Sequence, residues 1–466
     1  MIIKSFCPQL FSMYVVKLAV MLVLLGGVGR SQYRRRASKR KSESQKSDIS
    51  RTGSSSSRNA SMTEHDENER ARREQMRRGE AHCLLVGDAG VGKSQILRYA
   101  AKLSPRSVVT TGTGTTSAGL TCSAVKDSGE WMLEGGALVL ADRGVCCIDE
   151  FGNIREHDRA TIHEAMEQQT LSVAKAGLVC KLNTRCAIIA VTNPRGKYDT
   201  SQDVSVNTAI ASPLLSRFDI VLVLLDTVDA EWDRRVSSFI LDSAVRGVKN
   251  KKSSSDAETN EIWPLKKLRA YIQWARHSFM PELSYEAQCI LKAYYGKQRR
   301  SDGMGMQDAA RTTIRLLESL VRLAQAHARL MARDEADISD AVTAVLMVEA
   351  SNNSLNVISN ENTLHTDFSD DPDEAQKQQN LRVLHALNLV HLLRKGGDDD
   401  DGARGDNAAR GRPTSQWNFG DENNNNRSND NIITSPSPQQ KTSELALFSS
   451  RPPVRPSSST KRRRIE

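Results

Sequence analysis

One stretch, His82 to Ser94, restricts what this chain can fold into more than any other. An apolar run, His-Cys-Leu-Leu-Val, leads into Gly87-Asp88-Ala89-Gly90-Val91-Gly92-Lys93-Ser94 and then into a helical period. The spacing G-x-x-x-x-G-K-S between a strand and a helix is that of a phosphate-binding loop. Its glycines let successive backbone N–H groups turn toward an anion at a helix N-terminus. Lys93 can then reach the β- and γ-oxygens, and the Ser94 hydroxyl can hold Mg²⁺. ATP with Mg²⁺ is the expected ligand, cradled by residues 87 to 94.

The residues downstream repeat the same grammar. Short apolar runs bounded by turn signals recur as SVVTTG, GALVLAD, GVCCIDE, RCAIIAVTN and FDIVLVLLD. Runs of this length and composition predict strands buried on both faces, hence an α/β domain with a parallel sheet. The run Gly144 to Ile148 ends in Asp149 and Glu150, which places both carboxylates at the carboxyl edge of the sheet, where open α/β folds bind ligands. Asp149 is expected in the Mg²⁺ shell, with Glu150 polarising an attacking water. The neighbouring run ends in Asn193, whose amide can orient that water against the γ-phosphate.

Composition sets the surroundings of this domain. The 466 residues carry 65 Lys and Arg against 56 Asp and Glu, a net charge of +9 that favours a polyanionic partner. The eight cysteines form no C-x-x-C pair and no zinc spacing, so buried free thiols in a reducing compartment are expected. Residues 1–29 include an apolar run, Leu18 to Gly29, too short for a bilayer span. Extending it to Phe11 would place Lys17 within the membrane, at a cost of roughly 2.5 to 3.5 kcal/mol. A short packed or disordered leader is expected instead, with no stable membrane partner.

Residues 30–76 read as a disordered basic linker, with a charged stretch from Glu64 to Glu80 that can be helical. The ATPase core is expected over 77–245, a polar linker over 246–262, and a helical part over 263–350. The clearest helix of that part, Gln307 to Ala332, spaces Ile314, Leu317, Val321, Ala324, Ala328 and Met331 at three- and four-residue steps. A short helical extension over 351–395, with a helix at Asp373 to Leu393, precedes a low-complexity tail over 396–466. That tail includes Lys461, Arg462, Arg463 and Arg464, a cluster similar to a nuclear import address.

The order of GDAGVGKS, the insert GTGTTSAGLTCSAVKDSGEWMLEGGALVLAD, CCIDEF, IHEAMEQQTLSVAKAG, TNP and LLSRFD resembles the minichromosome maintenance helicases of the AAA+ class. The likeness covers about residues 77 to 394. Stretches such as LVCKLNTR, LLDTVDAEWDR, ARTTIRLLESLVRLAQAHARLM and LHTDF look closest to the ninth branch of that family, the one associated with recombination repair. The resemblance implies an AAA+ P-loop fold with inserted β-hairpins and a C-terminal helical lid. It matches Arg217 to the arginine finger that reaches the γ-phosphate on the adjacent subunit, a group worth roughly 10³- to 10⁵-fold in rate. Arg315 matches the sensor-2 arginine of the lid, although Arg315, Arg322 and Arg329 also form a seven-residue charge stripe of the kind that lines a solvated face. Lys175 falls at a hairpin tip that in such rings enters the central channel and contacts the DNA backbone. Gly119 to Trp131 resembles the second channel hairpin, and His163 is expected to be structural.

Two departures qualify the match. Ala89 and Val91 stand where most of the family has Pro and Thr, both at variable positions of the loop. About 80 residues precede the loop, too few and too polar for the family's oligonucleotide-binding-fold and zinc-ribbon collar, which bears on ring assembly and substrate loading. The resemblance implies a nuclear ATP-dependent DNA helicase subunit, paired with related subunits in a hexameric ring, that moves on single-stranded DNA in homologous recombination and double-strand break repair. A collarless, non-catalytic DNA-binding scaffold is the first alternative. An ATPase doing other work, as in enhancer-binding activators and magnesium chelatases, is the second.

Overall fold

The computed structural model of the chain describes residues 1–29, 78–127, 130–175, 177–199, 202, 204–249, 262–302, 313–351 and 363–394. The first half contains helix α1 (Tyr14–Leu25), β1 (Cys83–Gly87), α2 (Lys93–Leu103), β2 (Ser107–Thr111), a hairpin of β3 (Cys122–Asp127) and β4 (Glu130–Gly135), and β5 (Val145–Asp149). Then follow α3 (Glu156–Gln168), a second hairpin of β6 (Thr170–Lys175) and β7 (Leu178–Asn183), β8 (Ala187–Thr192) and β9 (Ile220–Leu224). Helix α4 (Ala230–Lys249) leads toward the lid, built of α5 (Leu265–Ser278), α6 (Tyr285–Asp302), α7 (Ile314–Leu330) and α8 (Ile338–Ser351), with α9 (Pro372–Ala386) beyond it.

The expected parallel sheet is present, with strands in the order β2-β5-β8-β1-β9. Alternate residues of each inner strand point to opposite faces, and both faces are covered. Cys83 and Leu85 join Cys147, Ile189 and Leu222 on the side of α1, α2 and the lid, whereas Leu84 and Val86 join Ile148, Ile188 and Val221 on the other. Each leucine or isoleucine buried in this way contributes about 1.5–3 kcal/mol. Register then aligns the strand ends, pairing Thr111 with Asp149, Val86 with Thr192 and Gly87 with Leu224. One edge of the sheet therefore carries the start of the phosphate-binding loop, the acidic pair and Asn193.

The run GALVLAD does not form the strand its composition predicts. Ala137–Leu140 is a single helical turn, because Ala137, Leu138 and Ala141 bury themselves at one- and four-residue steps rather than alternately. Helix α4 continues to Lys249, past residue 246 where the polar linker was expected; residues 250–261 lie outside the described residues. So do the whole of the basic linker, all but the last three residues of the stretch Glu64 to Glu80, the low-complexity tail and its basic cluster.

Of the readings open to the first 29 residues, packing is the one the structure takes. Helix α1 is apolar on every side but for Lys17 and is enclosed all round, from Val16 to Leu25, by α2, α5, α7 and the sheet. At 12 residues it is about 18 Å long, and no helix among the described residues is long and apolar enough to cross a membrane. Lys17 is buried within it, its ammonium donating to Leu10 O at 2.9 Å, and burial pushes its pKa down to about 8. The α/β core thus draws on residues well before 77, where its boundary was expected.

Lid and core are joined by buried arginines, which corrects the expectation of a solvated stripe. The lid helix expected over Gln307 to Ala332 is observed over Ile314–Leu330, with 303–312 outside the described residues. Of the expected apolar face, Ala324 and Ala328 are buried and Leu317 and Val321 pack on the core, while Ile314 and Met331 at the two ends are exposed; the burial also takes in Leu320, Leu323, Arg322 and Arg329. Arg329 donates to the carbonyls of Leu25 (3.3 Å), Gly26 (2.8 Å) and Gly27 (2.8 Å), capping the C-terminal end of α1. Arg322 donates through Nε (3.1 Å) and Nη2 to Asp219 Oδ1, and Ser319 Oγ donates to the same oxygen at 2.5 Å. The other oxygen of Asp219 accepts the His82 backbone N–H at 2.8 Å. Burial alone would raise the Asp219 carboxyl, but Arg322 and then Arg78 hold it well below the usual carboxylate range. His82 beside it is pushed down to about 3, chiefly by burial, so its ring is neutral and Nδ1 accepts the Ile188 N–H at 3.0 Å.

Two stability predictions arise from these buried charges. Asp219→Asn leaves two buried guanidinium groups without their counter-charge and is expected to cost about 3–5 kcal/mol in urea unfolding; a loss below about 1 kcal/mol would contradict the pairing. Glu349 on α8 is buried beside Tyr294, and burial raises its pKa from 4.5 to about 7. The folded chain therefore holds this proton more tightly than the unfolded chain. The contribution is complete below about pH 4.5 and is lost as pH rises through about 7. Glu349→Gln is expected to gain roughly 1–3 kcal/mol on the parent chain between about pH 4.5 and pH 7, and parallel pH profiles of the two chains would refute this.

Candidate nucleotide site

The phosphate-binding loop leaves β1 at Gly87, which lies so close to β9 that a Cβ there would meet Leu224 O at 2.3 Å. Gly90 (φ +95°) and Gly92 (φ +84°) take the left-handed conformations that turn the loop into the first turn of α2. A cavity of about 360 Å³ opens at this edge of the sheet. Ala89, Gly90, Gly92, Lys93 and Ser94 line one side of it; Asp149, Glu150, Thr192 and Asn193 line the other. The sequence reading is thereby gathered into one place: loop, acidic pair and amide share a single cavity, in the size range of small-molecule sites.

Lys93 is buried at the cavity wall, with Nζ donating to Gly87 O at 2.8 Å and to Asp88 O. Burial lowers its pKa, and Asp88 and Asp149 offset part of that shift. Asp88 also accepts the backbone N–H of Asp226 at 3.1 Å, tying the loop to the end of β9. Asp149 accepts the N–H of Glu150 (3.0 Å), and its carbonyl accepts that of Gly112 (2.7 Å).

Glu150 sits at φ +52°, a conformation that costs a residue with a side chain of order 1–3 kcal/mol and is held only by its surroundings. Its Oε2 accepts from Thr113 Oγ1 at 3.1 Å and from Asn153 Nδ2 at 3.5 Å. Sequence reasoning missed both partners. The signal lay in Gly112-Thr113 at the end of β2: Gly112 passes so near Glu150 that a Cβ would meet its carbonyl oxygen at 2.2 Å. Ser94 and Asp149 offer a hydroxyl and a carboxylate to the same cavity, an oxygen set that suits a hard cation such as Mg²⁺. The cavity's ammonium and left-handed glycines suit a polyphosphate.

Arg217 and Arg315 do not line this cavity. They meet each other on a different surface, sharing the carboxylate of Glu167 at the end of α3. Arg217 donates through Nε and Nη2 to Glu167 Oε2 at 3.1 and 2.8 Å. Arg315 donates to Glu167 Oε1 at 2.6 Å and to Ser216 Oγ at 3.1 Å. Burial would raise the Glu167 pKa, but Arg315 and Arg217 together lower it. His163, one turn earlier on α3, is half-buried, and burial and then Arg217 lower its pKa.

Lys175 ends β6, two residues before the left-handed Gly177 of the hairpin turn. Its ammonium donates to Cys122 O at 2.6 Å, so the two hairpins are pinned to one another at that point. The stretch from Gly119 to Trp131 becomes a helical turn and the β3–β4 hairpin, with Trp131 and Met132 exposed. All eight cysteines are free, and among the described residues no three His, Cys, Asp or Glu side chains gather as a metal site.

Residues 60–244 match the MCM P-loop domain and residues 266–352 the MCM AAA-lid domain, together more than half of the chain. A protein of Arabidopsis thaliana described as probable DNA helicase MCM9 is 53% identical over 374 residues, which are 80% of this chain and 51% of that one. Its namesake in Oryza sativa subsp. indica is 50% identical over 80% of this chain and 49% of its own. The minichromosome maintenance protein MCM of Saccharolobus solfataricus is 41% identical over 58% of this chain and 38% of its own. The chain spans about half the length of the first two of these relatives. With the loop, the acidic strand end, the two hairpins and the lid in this order, the chain belongs to the minichromosome maintenance family of AAA+ P-loop proteins, and it is similar to that family's ninth branch.

Proposed function

We propose that this chain is an ATP-dependent motor subunit that works in a ring with related subunits, translocates on single-stranded DNA and unwinds duplex during homologous recombination and double-strand break repair in the nucleus. The observation that carries the reading is the division of the machinery: loop, carboxylates and amide line one cavity, whereas Arg217 and Arg315 stand together outside it. Lys93 leaves its loop carbonyls to bind the β- and γ-oxygens, and the backbone N–H groups of the loop take the remaining phosphate charge. Ser94 and Asp149 would hold Mg²⁺, which would supply positive charge against that developing on the phosphates. Glu150, set by Thr113 and Asn153, accepts the proton of a water that Asn193 orients.

The two arginines serve the next subunit. Each exchanges the Glu167 carboxylate for a γ-phosphate presented across the ring, a replacement of one anion by another that leaves the cations paired throughout. Lys175 and its hairpin grip the strand through phosphate charge, which requires no sequence preference. The DNA helicase descriptions of the plant relatives and the net charge of +9 support this assignment.

Lys93→Ala and Arg217→Ala are each expected to lower DNA-stimulated ATP turnover by about 10³-fold. A site shared between subunits makes these two defects complementary. In a 1:1 mixture, about a quarter of the interfaces in randomly assembled rings carry an intact loop facing an intact arginine, so turnover should recover to that order. A mixture no faster than either variant would overturn the shared site. Full activity of Lys93→Ala alone would overturn the motor reading in favour of a scaffold.

A further inference from the structure

The family's lid match ends at residue 352, yet the described chain returns to the ATPase core beyond it, as Thr363–Phe368. This segment reaches the turn Cys7–Met13, which lies against the phosphate-binding loop. Within that turn Cys7, Ser12 and Met13 all have positive φ (+47°, +45° and +56°), so its shape is imposed from outside. Leu10, at its apex, packs on Gly92 so closely that a Cβ on the glycine would meet Leu10 Cδ2 at 2.8 Å.

Thr366 supplies what the turn lacks. Met13, which precedes α1, gives the helix no side-chain cap. The Thr366 carbonyl instead accepts from Tyr14 N (3.2 Å) and Ser12 Oγ (2.8 Å), and its hydroxyl accepts from Val15 N (3.2 Å). A threonine 352 residues downstream in sequence thus satisfies the first N–H groups of α1. Phe368 packs edge-on against Tyr14, with rings 5.3 Å apart, and lies 5.7 Å from the Lys17 ammonium, which in turn holds Leu10 O. On the far side His365 stacks on Trp232 at 4.7 Å, and Trp232 meets Phe11 at 5.3 Å. Ser12 is therefore tied to this segment directly, and Phe11 and the Leu10 carbonyl are tied to it through Trp232 and Lys17.

We propose that Thr363–Phe368 is a strap that seats the Cys7–Met13 turn on the phosphate-binding loop, with Thr366 as a positioning residue for nucleotide binding. The proposal rests on the cavity beside Lys93 being the ATP site. It makes the affinity of that site depend on a segment outside both the P-loop domain and the lid. A nucleotide that binds only the seated turn loses affinity in proportion to the fraction of chains in which the turn has lifted.

The test compares the full chain with Thr366→Val/Phe368→Ala, with the conservative pair Thr366→Ser/Phe368→Tyr, and with the surface variant Asp367→Ala, which removes only the ion pair to Arg235. Binding of a fluorescent ATP analogue with Mg²⁺ is titrated well below each chain's melting midpoint, and alkylation of Cys7 is followed by mass spectrometry without nucleotide. The double variant is expected to bind roughly five-fold more weakly and to expose the buried Cys7, Asp367→Ala to do so by a smaller factor, and the conservative pair to restore both readouts. Equal nucleotide affinity and equal Cys7 protection in parent and double variant, with Lys93→Ala still weakened, would overturn the strap while leaving the ATP site intact. A parent chain that binds no better than Lys93→Ala would overturn the site reading and the strap with it.

Discussion

The Asp219 carboxylate fixes the geometry on which much else in this structure depends. It lies fully inside, where a charge without partners is not tolerated, and so it gathers Arg322 and Ser319 from the lid, the His82 backbone from the start of β1, and Arg78 nearby. That arrangement sets the angle at which the lid meets the sheet. It also fixes Arg217, two residues earlier, whose carbonyl accepts from Arg78 at 3.0 Å and whose side chain leaves toward Glu167. The half-buried Arg217 is positioned by a buried arginine.

The cavity is built by register. Strands of five and six residues in parallel alignment bring Gly87, Asp149 and Asn193 to one edge. Local sterics then refine the placement. Gly87 allows β1 to approach β9, and Gly112 allows β2 to pass Glu150, whose left-handed backbone aims its carboxylate at Thr113. The strain of that conformation is offset by the packing of two strand ends.

Much of this was legible in the residues. The loop, the acidic strand end and the amide after β8 carry their chemistry in adjacent positions, and the apolar runs of β1, β5, β8 and β9 state their burial directly, whereas the run of β2 lies at the sheet edge with Val109 exposed. What was not legible was long-range. No local pattern distinguishes Arg322 and Arg329 from a solvated stripe, because their partners lie about 100 and about 300 residues away in sequence. The run GALVLAD has the composition of a strand and the burial of a helical turn. The pairing of Thr113 with Glu150 joins two strands that only the sheet order brings side by side.

Helix α1 bears on how pieces of this protein behave when cut out. The family's P-loop match begins at residue 60, and a fragment started there would keep every motif of the cavity yet leave out the helix that covers one face of β1 and β8. Leu85, Ile189 and the underside of α7 would face water, and the Arg329 guanidinium would lose the carbonyls of Leu25, Gly26 and Gly27. Such a fragment exposes an adhesive patch where the whole chain has a core, and insolubility of that piece would reflect the cut and not the fold.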